Sequence, residues 1–241
     1  MRDPVVFLPG MMCDTRLFGP QVTALGRSMA VMTAPIIHGE RIEEIASVLL
    51  DVLPRRFAVA GHAMGGIVAM ELLRRAPDRV SRIALLDTSP LAETPQSAAD
   101  YEPPLIKLRA GRLPEAVAGF VPVESLALGT ERARVHSLLT EMAESVGPDT
   151  ITRQARALQR RRDYQAVLRR CKVPTLVLCG RHDTLFPLKR HSFLADLIPD
   201  ADLAVIDDGG HLPTLEAPAE TTRALSDWLA QPNSMPSRAD A

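Results

Sequence analysis

The chain has 241 residues, of which 46% are apolar, and its 28 Lys and Arg residues nearly balance 29 Asp and Glu residues. This length suits one domain of ordinary size, or one domain with an insertion, and it is sufficient for a hydrophobic core without disulfides or metal clips. The net charge of −1 lacks the excess of Lys and Arg by which many proteins bind phosphate backbones, so we expect no nucleic-acid partner.

The cysteines and the first residues indicate in which cellular compartment the protein is expected. Cys13, Cys171 and Cys179 are odd in number and widely spaced, which disfavours a disulfide framework and a four-ligand zinc site. The first apolar run, residues 5–8, is too short for the core of a signal peptide, and no run of about 18 apolar residues is present. We therefore expect a cytoplasmic protein without membrane association, and the sequence leaves its oligomeric state open.

Short apolar runs alternate with helical patterns in the first part of the chain and again in the last. Runs that are apolar on both faces are typical of buried parallel strands. The predicted strands are residues 5–8, 30–34, 57–60, 80–86, 173–179 and 203–206. The predicted helices are residues 42–50, 67–73, 188–198 and 218–229.

The segment 91–170 differs, because it has no convincing strand pattern and prolines interrupt it repeatedly. We interpret it as a cap of short helices inserted over the edge of the sheet. The prediction is an α/β fold with a mostly parallel, doubly wound sheet, whose core comprises residues 1–90 and 171–230. The polar, proline-containing tail, residues 231–241, is predicted to be disordered.

The strongest functional signal is the sequence FAVAGHAMGG at residues 57–66. It matches the G-x-S-x-G turn between a strand and a helix, in which a nucleophilic serine sits in strained backbone between glycines. The match fails at one position, because Ala63 stands where the serine is expected. Two further motifs follow, GRHD at 180–183 after one predicted strand and GGH at 209–211 after the last.

With these three motifs in this order, the chain resembles the α/β-hydrolase fold family over roughly residues 4–230. The resemblance is to small bacterial serine hydrolases and esterases with a Gly-His-Ser-Met-Gly-Gly elbow. It implies that Ala63 occupies the nucleophile position, that Asp183 is the acid and that His211 is the base. Asp87, after the strand at 80–86, is an alternative acid, and we favour Asp183.

The resemblance also implies an oxyanion hole made by the backbone N–H groups of Met11 and Met64. Many relatives have His-Gly where this chain has Pro9-Gly10, but a backbone donor is unaffected by that difference. Substrate-binding residues are expected next to the motifs and in the cap. They are Met12, His62, Phe120, Leu185 and Leu212, with Met11, Phe18 and Leu91 as further wall candidates.

Several of these residues have a second interpretation, and each of the apolar wall candidates could equally belong to the core. His62 is equally well explained as a packed, hydrogen-bonded side chain. The remaining histidines lack metal-ligand spacing, so we expect no metal site. Arginines are frequent between residues 153 and 172. They form either a solvated helix face or a set from which one guanidinium pairs with a substrate carboxylate.

The expected activity is hydrolysis of an acyl bond in a carboxylic ester, lactone or thioester of small to medium size, with no cofactor. A serine nucleophile requires a histidine base, and a carboxylate orients that base. Alanine provides no nucleophile, so the chain as written is expected to bind this small-molecule acyl substrate without turning it over. Amide or C–C hydrolysis and cofactor-free perhydrolysis are alternatives on the same fold.

Two explanations of Ala63 are open. The chain is either a deliberate Ser→Ala variant or a natural non-catalytic relative that binds a small molecule. The presence of the acid and the histidine favours the first, because binding alone requires neither of them.

Overall fold

The computed structural model describes residues 3–232, and its centre is a six-stranded, all-parallel sheet in the order β2-β1-β3-β4-β5-β6. The strands are β1 (Val5–Leu8), β2 (Val31–Thr33), β3 (Phe57–His62), β4 (Val80–Leu86), β5 (Thr175–Gly180) and β6 (Ala201–Ile206). The predicted α/β class with a parallel sheet is confirmed. The predicted disorder of the tail concerns residues that, from 233 onward, lie outside the described chain.

Helices follow most of the strands, because neighbouring parallel strands cannot be joined by a hairpin and need a crossover connection. The helices that flank the sheet are α1 (Gly19–Leu25), α2 (Ile42–Val52), α3 (Met64–Arg75), α10 (Leu188–Asp196), α11 (Pro213–Glu216) and α12 (Pro218–Ala230). The helices of the cap are α4 (Pro95–Ala99), α5 (Glu102–Arg109), α6 (Leu113–Phe120), α7 (Arg132–Val146), α8 (Pro148–Gln159) and α9 (Gln165–Leu168). Short 3-10 helices occur at Thr15–Phe18 and Val123–Ser125.

Alternation along the strands divides the core between the two faces of the sheet. Val5 and Phe7 point to the face covered by α1 and α12, whereas Val6 and Leu8 point to the face covered by α2, α3 and α10. Trp228 of α12 is 1% exposed and anchors the first face. Both faces are covered, so the central strands β1, β3, β4 and β5 are buried along their whole length, as their largely apolar sequences predict.

The two edge strands depart from the expectation of complete burial. All residues of β2 are partly exposed, and in β6 Leu203 is 39% exposed. An edge strand has a neighbour on one side only, so its apolar residues are less completely covered.

The cap consists of short helices whose boundaries fall at prolines, as the sequence predicts, and three of these prolines begin the next helix. Pro103, Pro114 and Pro148 lie in the first turns of α5, α6 and α8. The first turn has no intrahelical acceptor for an N–H group, so proline starts a helix there without losing a hydrogen bond. Residues 91–170, all of them described, contain no β-strand.

The cap is continuous with the core. Leu105 and Leu139 of the cap belong to the same buried cluster as Phe7 of the central strand. In the described part of the chain, no helix combines the length and the apolar character needed to cross a membrane. We retain 91–170 as the proposed boundaries of the cap.

Candidate active site

The turn from β3 into α3 contains Ala63, whose backbone has φ +46° and ψ −111°. A residue with a Cβ rarely adopts a positive φ, and here neighbouring strands hold it in place. The Ala63 N–H donates to Leu86 O at 2.9 Å, and the Thr88 hydroxyl donates to Ala63 O at 2.7 Å. The Ala63 side chain therefore projects from a rigid turn at the carboxyl end of the sheet.

Glycines make this turn possible because the chain approaches itself closely. A Cβ on Gly61 would lie 2.2 Å from Gly65 O, and a Cβ on Gly65 would lie 2.1 Å from Leu8 O. No side chain fits at either distance, which accounts for the glycine on both sides of position 63.

Asp183 and His211 are brought together from the loops that follow β5 and β6. His211 Nδ1 and Asp183 Oδ2 are 2.9 Å apart. Asp183 Oδ1 accepts the N–H groups of Leu185 and Phe186 at 2.8 and 3.1 Å. Burial opposes ionisation of Asp183, but the His211 imidazole and these N–H donors outweigh it and lower the pKa of the carboxyl. An ionised Asp183 therefore accepts the Nδ1–H of His211.

The other ring nitrogen of His211, Nε2, has no hydrogen-bond partner among residues 3–232. The ring of Phe186 stacks against the imidazole with centroids 5.8 Å apart. His211 and Ala63 line the same cavity. This leaves Nε2 as the nitrogen available to a reacting group.

The loop that carries His211 is held by residues that the motifs did not indicate. Glu216 accepts the N–H groups of Gly210 and Leu212 at 2.9 and 2.8 Å. The His211 N–H donates to Ser125 O, a cap residue, at 2.7 Å. Glu216 lies shortly after the GGH motif, so its role could have been proposed from the sequence. Ser125 is remote from the motif in sequence, and no local pattern indicates its contact with His211.

His62 fulfils both of its interpretations, because it lines the cavity and is also packed and hydrogen-bonded. Its Nε2 lies 2.6 Å from His211 O. Burial, and next the neighbouring His211, lower the pKa of His62 to about 3, so its imidazole is neutral and Nε2–H is the donor. Nδ1 faces Gly10, where an added Cβ would lie 2.7 Å from it.

The two expected oxyanion donors come from different segments of the chain that line the same cavity. Met11 follows β1, and Met64 is the first residue of α3. Neither backbone N–H has a hydrogen-bond partner within the described residues. Both residues line the cavity, so two free donors are available to a ligand oxygen.

Gln154 is a further residue that sequence reasoning missed. This α8 side chain is 1% exposed and accepts the N–H of Met12 at 3.0 Å through Oε1. Its Nε2 donates to Ile36 O at 3.1 Å. Gln154 thus ties the cap to the loop after β1, and its separation from Met12 in sequence gives no local signal.

The cavity has a volume of about 320 Å³ and is lined by both the turn and the cap. Of the predicted wall residues, those that line it are Met11, Met12, His62, Phe120, Leu185 and Leu212. Phe18 and Leu91 do not line it, and for Phe18 the alternative of a core position applies. Phe18 stacks on Phe7 in the core, with centroids 4.6 Å apart, because helical spacing turns it towards the sheet.

The cap arginines are largely engaged by carboxylates of the chain itself. Such pairs are Arg156–Glu102, Arg160–Glu40 and Arg162–Glu43. Of the basic residues between 153 and 172, all of them described, Arg161 alone lines the cavity. It forms a buried pair with Glu93 at 2.8 Å, and its Nε donates to Leu91 O. The one cap arginine that lines the cavity is therefore already paired with a carboxylate of the chain.

Comparison with known proteins agrees with this architecture. Residues 42–218 match the family described as alpha/beta hydrolase fold. The chain belongs to the α/β-hydrolase fold family.

Two kinds of relative align over most of the chain. A pimeloyl-[acyl-carrier protein] methyl ester esterase of Aromatoleum aromaticum is 32% identical over 79% of this chain and 80% of its own length. A putative carbamate hydrolase, RutD, of Yersinia enterocolitica is 28% identical over 86% of this chain and 80% of its own.

Solved structures show the same fold. An esterase from Thermogutta terrifontis superposes with a TM-score of 0.84 at 24% identity, covering 94% of this chain and 89% of its own. The enol-lactonase from Burkholderia xenovorans LB400 superposes with a TM-score of 0.84 at 22% identity, covering 96% and 92%.

Proposed function

We propose that this site hydrolyses an acyl bond when position 63 carries serine, and that the chain with Ala63 binds the substrate without turning it over. The observation that carries the proposal is the Asp183–His211 hydrogen bond of 2.9 Å beside a cavity that also contains Ala63. A serine at position 63 would project from the same strained turn. Its proton would pass to His211 Nε2, and Asp183 would stabilise the imidazolium.

Substrate position follows from the free donors. The carbonyl oxygen would accept the N–H groups of Met11 and Met64 at about 2.7 to 3.1 Å, which stabilises the tetrahedral oxyanion. The carbonyl carbon would face position 63, and His211 would then protonate the leaving group. The acyl or alcohol chain would lie along the apolar wall formed by Met12, Phe120 and Leu212.

Carboxylic ester is the bond we favour, with lactone and thioester next. The relative at 32% identity is a methyl ester esterase, which supports ester chemistry. The second candidate is carbamate hydrolysis, supported by relatives of that name. The same N–H donors and the same histidine base would act on the carbonyl of an ester or of a carbamate. The two substrate classes therefore differ in their leaving groups.

Restoration of the nucleophile tests the proposal. We expect Ala63→Ser to increase hydrolysis of activated short-chain esters by about 10³- to 10⁶-fold over the Ala63 chain. The measurement is kcat/KM across a panel of esters, lactones, thioesters, carbamates and amides. A serine-restored protein that is inert towards the whole panel contradicts acyl transfer.

Further variants in the serine-restored background test the individual roles. His211→Ala should abolish activity, and Asp183→Asn should lower kcat by about 10⁴-fold. Asp207→Asn is the matched control, because Asp207 is 73% exposed and pairs only with Arg181 at the surface. The sequence of the gene at codon 63 separates an introduced alanine from a natural one. A natural alanine would favour the ligand-binding alternative.

A further inference from the structure

A second carboxyl group, that of Asp87, lies behind the Asp183–His211 pair. Asp87 follows β4, is 0% exposed and has φ +44°. Its Oδ1 accepts the Gly180 N–H at 2.9 Å. Its Oδ2 is buried and has no partner among the residues that the structure describes. A strained, fully buried carboxyl with one orphan oxygen requires a physical explanation.

Among residues 3–232, the charged groups that act most strongly on the Asp87 carboxyl are other acids, which cannot balance a negative charge. This carboxyl lies within hydrogen-bonding reach of Asp183, and the other titratable groups that act on it are Glu216 and Cys179. Asp183 is already ionised through His211 and its backbone donors. Ionisation of Asp87 would therefore place two like charges side by side in a buried site.

We propose that Asp87 is a neutral carboxylic acid in the folded protein and donates its Oδ2–H to Asp183, as a positioning residue for the Asp183–His211 pair. One proton then satisfies the orphan oxygen and removes the repulsion between the two carboxyls. Burial first, and the charge of Asp183 second, raise the pKa of Asp87 well above its usual range, in agreement with this arrangement. Only the catalytic consequence rests on the proposed function.

The arrangement has a chemical purpose. A hydrogen bond from a neutral acid fixes the orientation of the Asp183 carboxylate without adding a second negative charge next to His211. The same bond makes Asp183 less basic, so that a proton taken up by the pair stays on the imidazole. Sequence order alone made Asp87 an alternative acid, whereas the geometry points to a donor that acts through Asp183.

A spectroscopic experiment on the chain as it exists tests the proton directly. With ¹³C-labelled aspartate carboxyls, one resonance should have the chemical shift of a protonated acid at pH 7. Asp87→Asn should remove that resonance, and the exposed control Asp207→Asn should leave it. Absence of a protonated aspartate at pH 7 in the unsubstituted protein overturns the proposal, and that measurement does not depend on any variant folding.

The pH dependence of unfolding gives an independent measurement. A pKa raised in the folded state contributes stability below the unfolded value of about 3.9, and this is lost as the pH rises. The unfolding equilibrium constant of the protein, divided by that of Asp87→Asn, should therefore rise up to about tenfold per pH unit above pH 4. A ratio that stays constant with pH shows that Asp87 ionises normally and contradicts the proposal.

The catalytic consequence is measured in the Ala63→Ser background. Asp87→Ala should lower kcat about 10- to 100-fold with little change in KM, because His211 loses its orientation. Asp87→Asn restores an N–H donor towards Asp183 and should recover most of that loss. If the serine-restored protein is inert, the proposed function fails, while the carboxyl resonance still decides the state of Asp87.

Discussion

At the scale of single residues, backbone strain is concentrated where the chemistry is proposed. Within residues 3–232, the non-glycine residues with positive φ are Met12, Ala63 and Asp87, at +64°, +46° and +44°. Each follows a central strand, β1, β3 or β4, at the carboxyl edge of the sheet. Such conformations cost about 1–3 kcal/mol each and persist only where surrounding structure enforces them. This edge is thus built at the expense of stability, as expected of a functional site.

The glycine before Ala63 provides a test at this scale. Gly61→Ala should destabilise the protein by at least about 1–3 kcal/mol, because its Cβ would meet Gly65 O at 2.2 Å. Gly19→Ala is the matched control, because a Cβ there meets nothing within 4 Å and the backbone is right-handed helical. We expect the control to be neutral or slightly stabilising in urea unfolding. Equal destabilisation by both substitutions would contradict steric necessity at the turn.

At the scale of elements, the cap is part of the site's support as well as its cover. Helix α8 holds the loop after β1 through Gln154, and the cap residue Ser125 holds the His211 backbone. Helix α8 also carries Arg156, which binds Glu102 of α5 and so joins two cap helices. The cap therefore fixes the positions of both the proposed oxyanion donor and the proposed base.

Removal of the α8 contact should affect both stability and ligand binding. Gln154→Leu keeps the buried volume but leaves Met12 N–H and Ile36 O without partners, at a cost of about 1–3 kcal/mol for each buried group. We expect a lower urea midpoint and, in the Ala63→Ser background, a lower kcat from a displaced Met11. The control is Gln96→Leu, since Gln96 bonds only to Asp100 at the surface. Normal stability and activity of Gln154→Leu would show that the loop is held by other contacts.

At the scale of the whole molecule, two histidines are buried in neutral form and couple folding to pH. His62 and His191 are 1% and 0% exposed, and burial lowers their pKa values to about 3 and about 4. His191 Nε2 accepts the Thr88 N–H at 3.2 Å, which requires an unprotonated nitrogen. The groups that act on His191 are Asp183, His211 and Arg190.

The sign of the pH effect follows from these lowered values. The unfolded state takes up protons below about pH 6.5, while folded His191 stays neutral until about pH 4. Its contribution to stability is complete above pH 6.5 and declines as the pH falls. The unfolding free energy of the protein relative to His191→Gln should fall by about 1.4 kcal/mol per pH unit across this window. A pH-independent difference would contradict the burial of a neutral His191.

The sequence by itself determined the fold class and the order of the motifs. Apolar runs such as Val5–Leu8 are local and continuous, so strand positions are readable from them, and their alternation with helices specifies a parallel sheet. The central strands are buried on both faces, which explains why apolar runs predicted them well. The edge strands β2 and β6 are less buried, so the same pattern predicted their burial less well. The sequence also placed Ala63, Asp183 and His211 after three different strands of the sheet, whose carboxyl ends meet at one edge.

The tertiary structure decided which side chains meet, because those contacts join residues far apart in the chain. Gln154 accepts a hydrogen bond from Met12, Glu93 pairs with Arg161 at the cavity, and the Asp87 carboxyl interacts with that of Asp183. Each is a polar group whose partner is determined by the packing of the cap or of neighbouring strands. No local periodicity in the sequence indicates which residue that partner is. Phe18 illustrates the same limit, since proximity to a motif in sequence did not determine which way its ring faces.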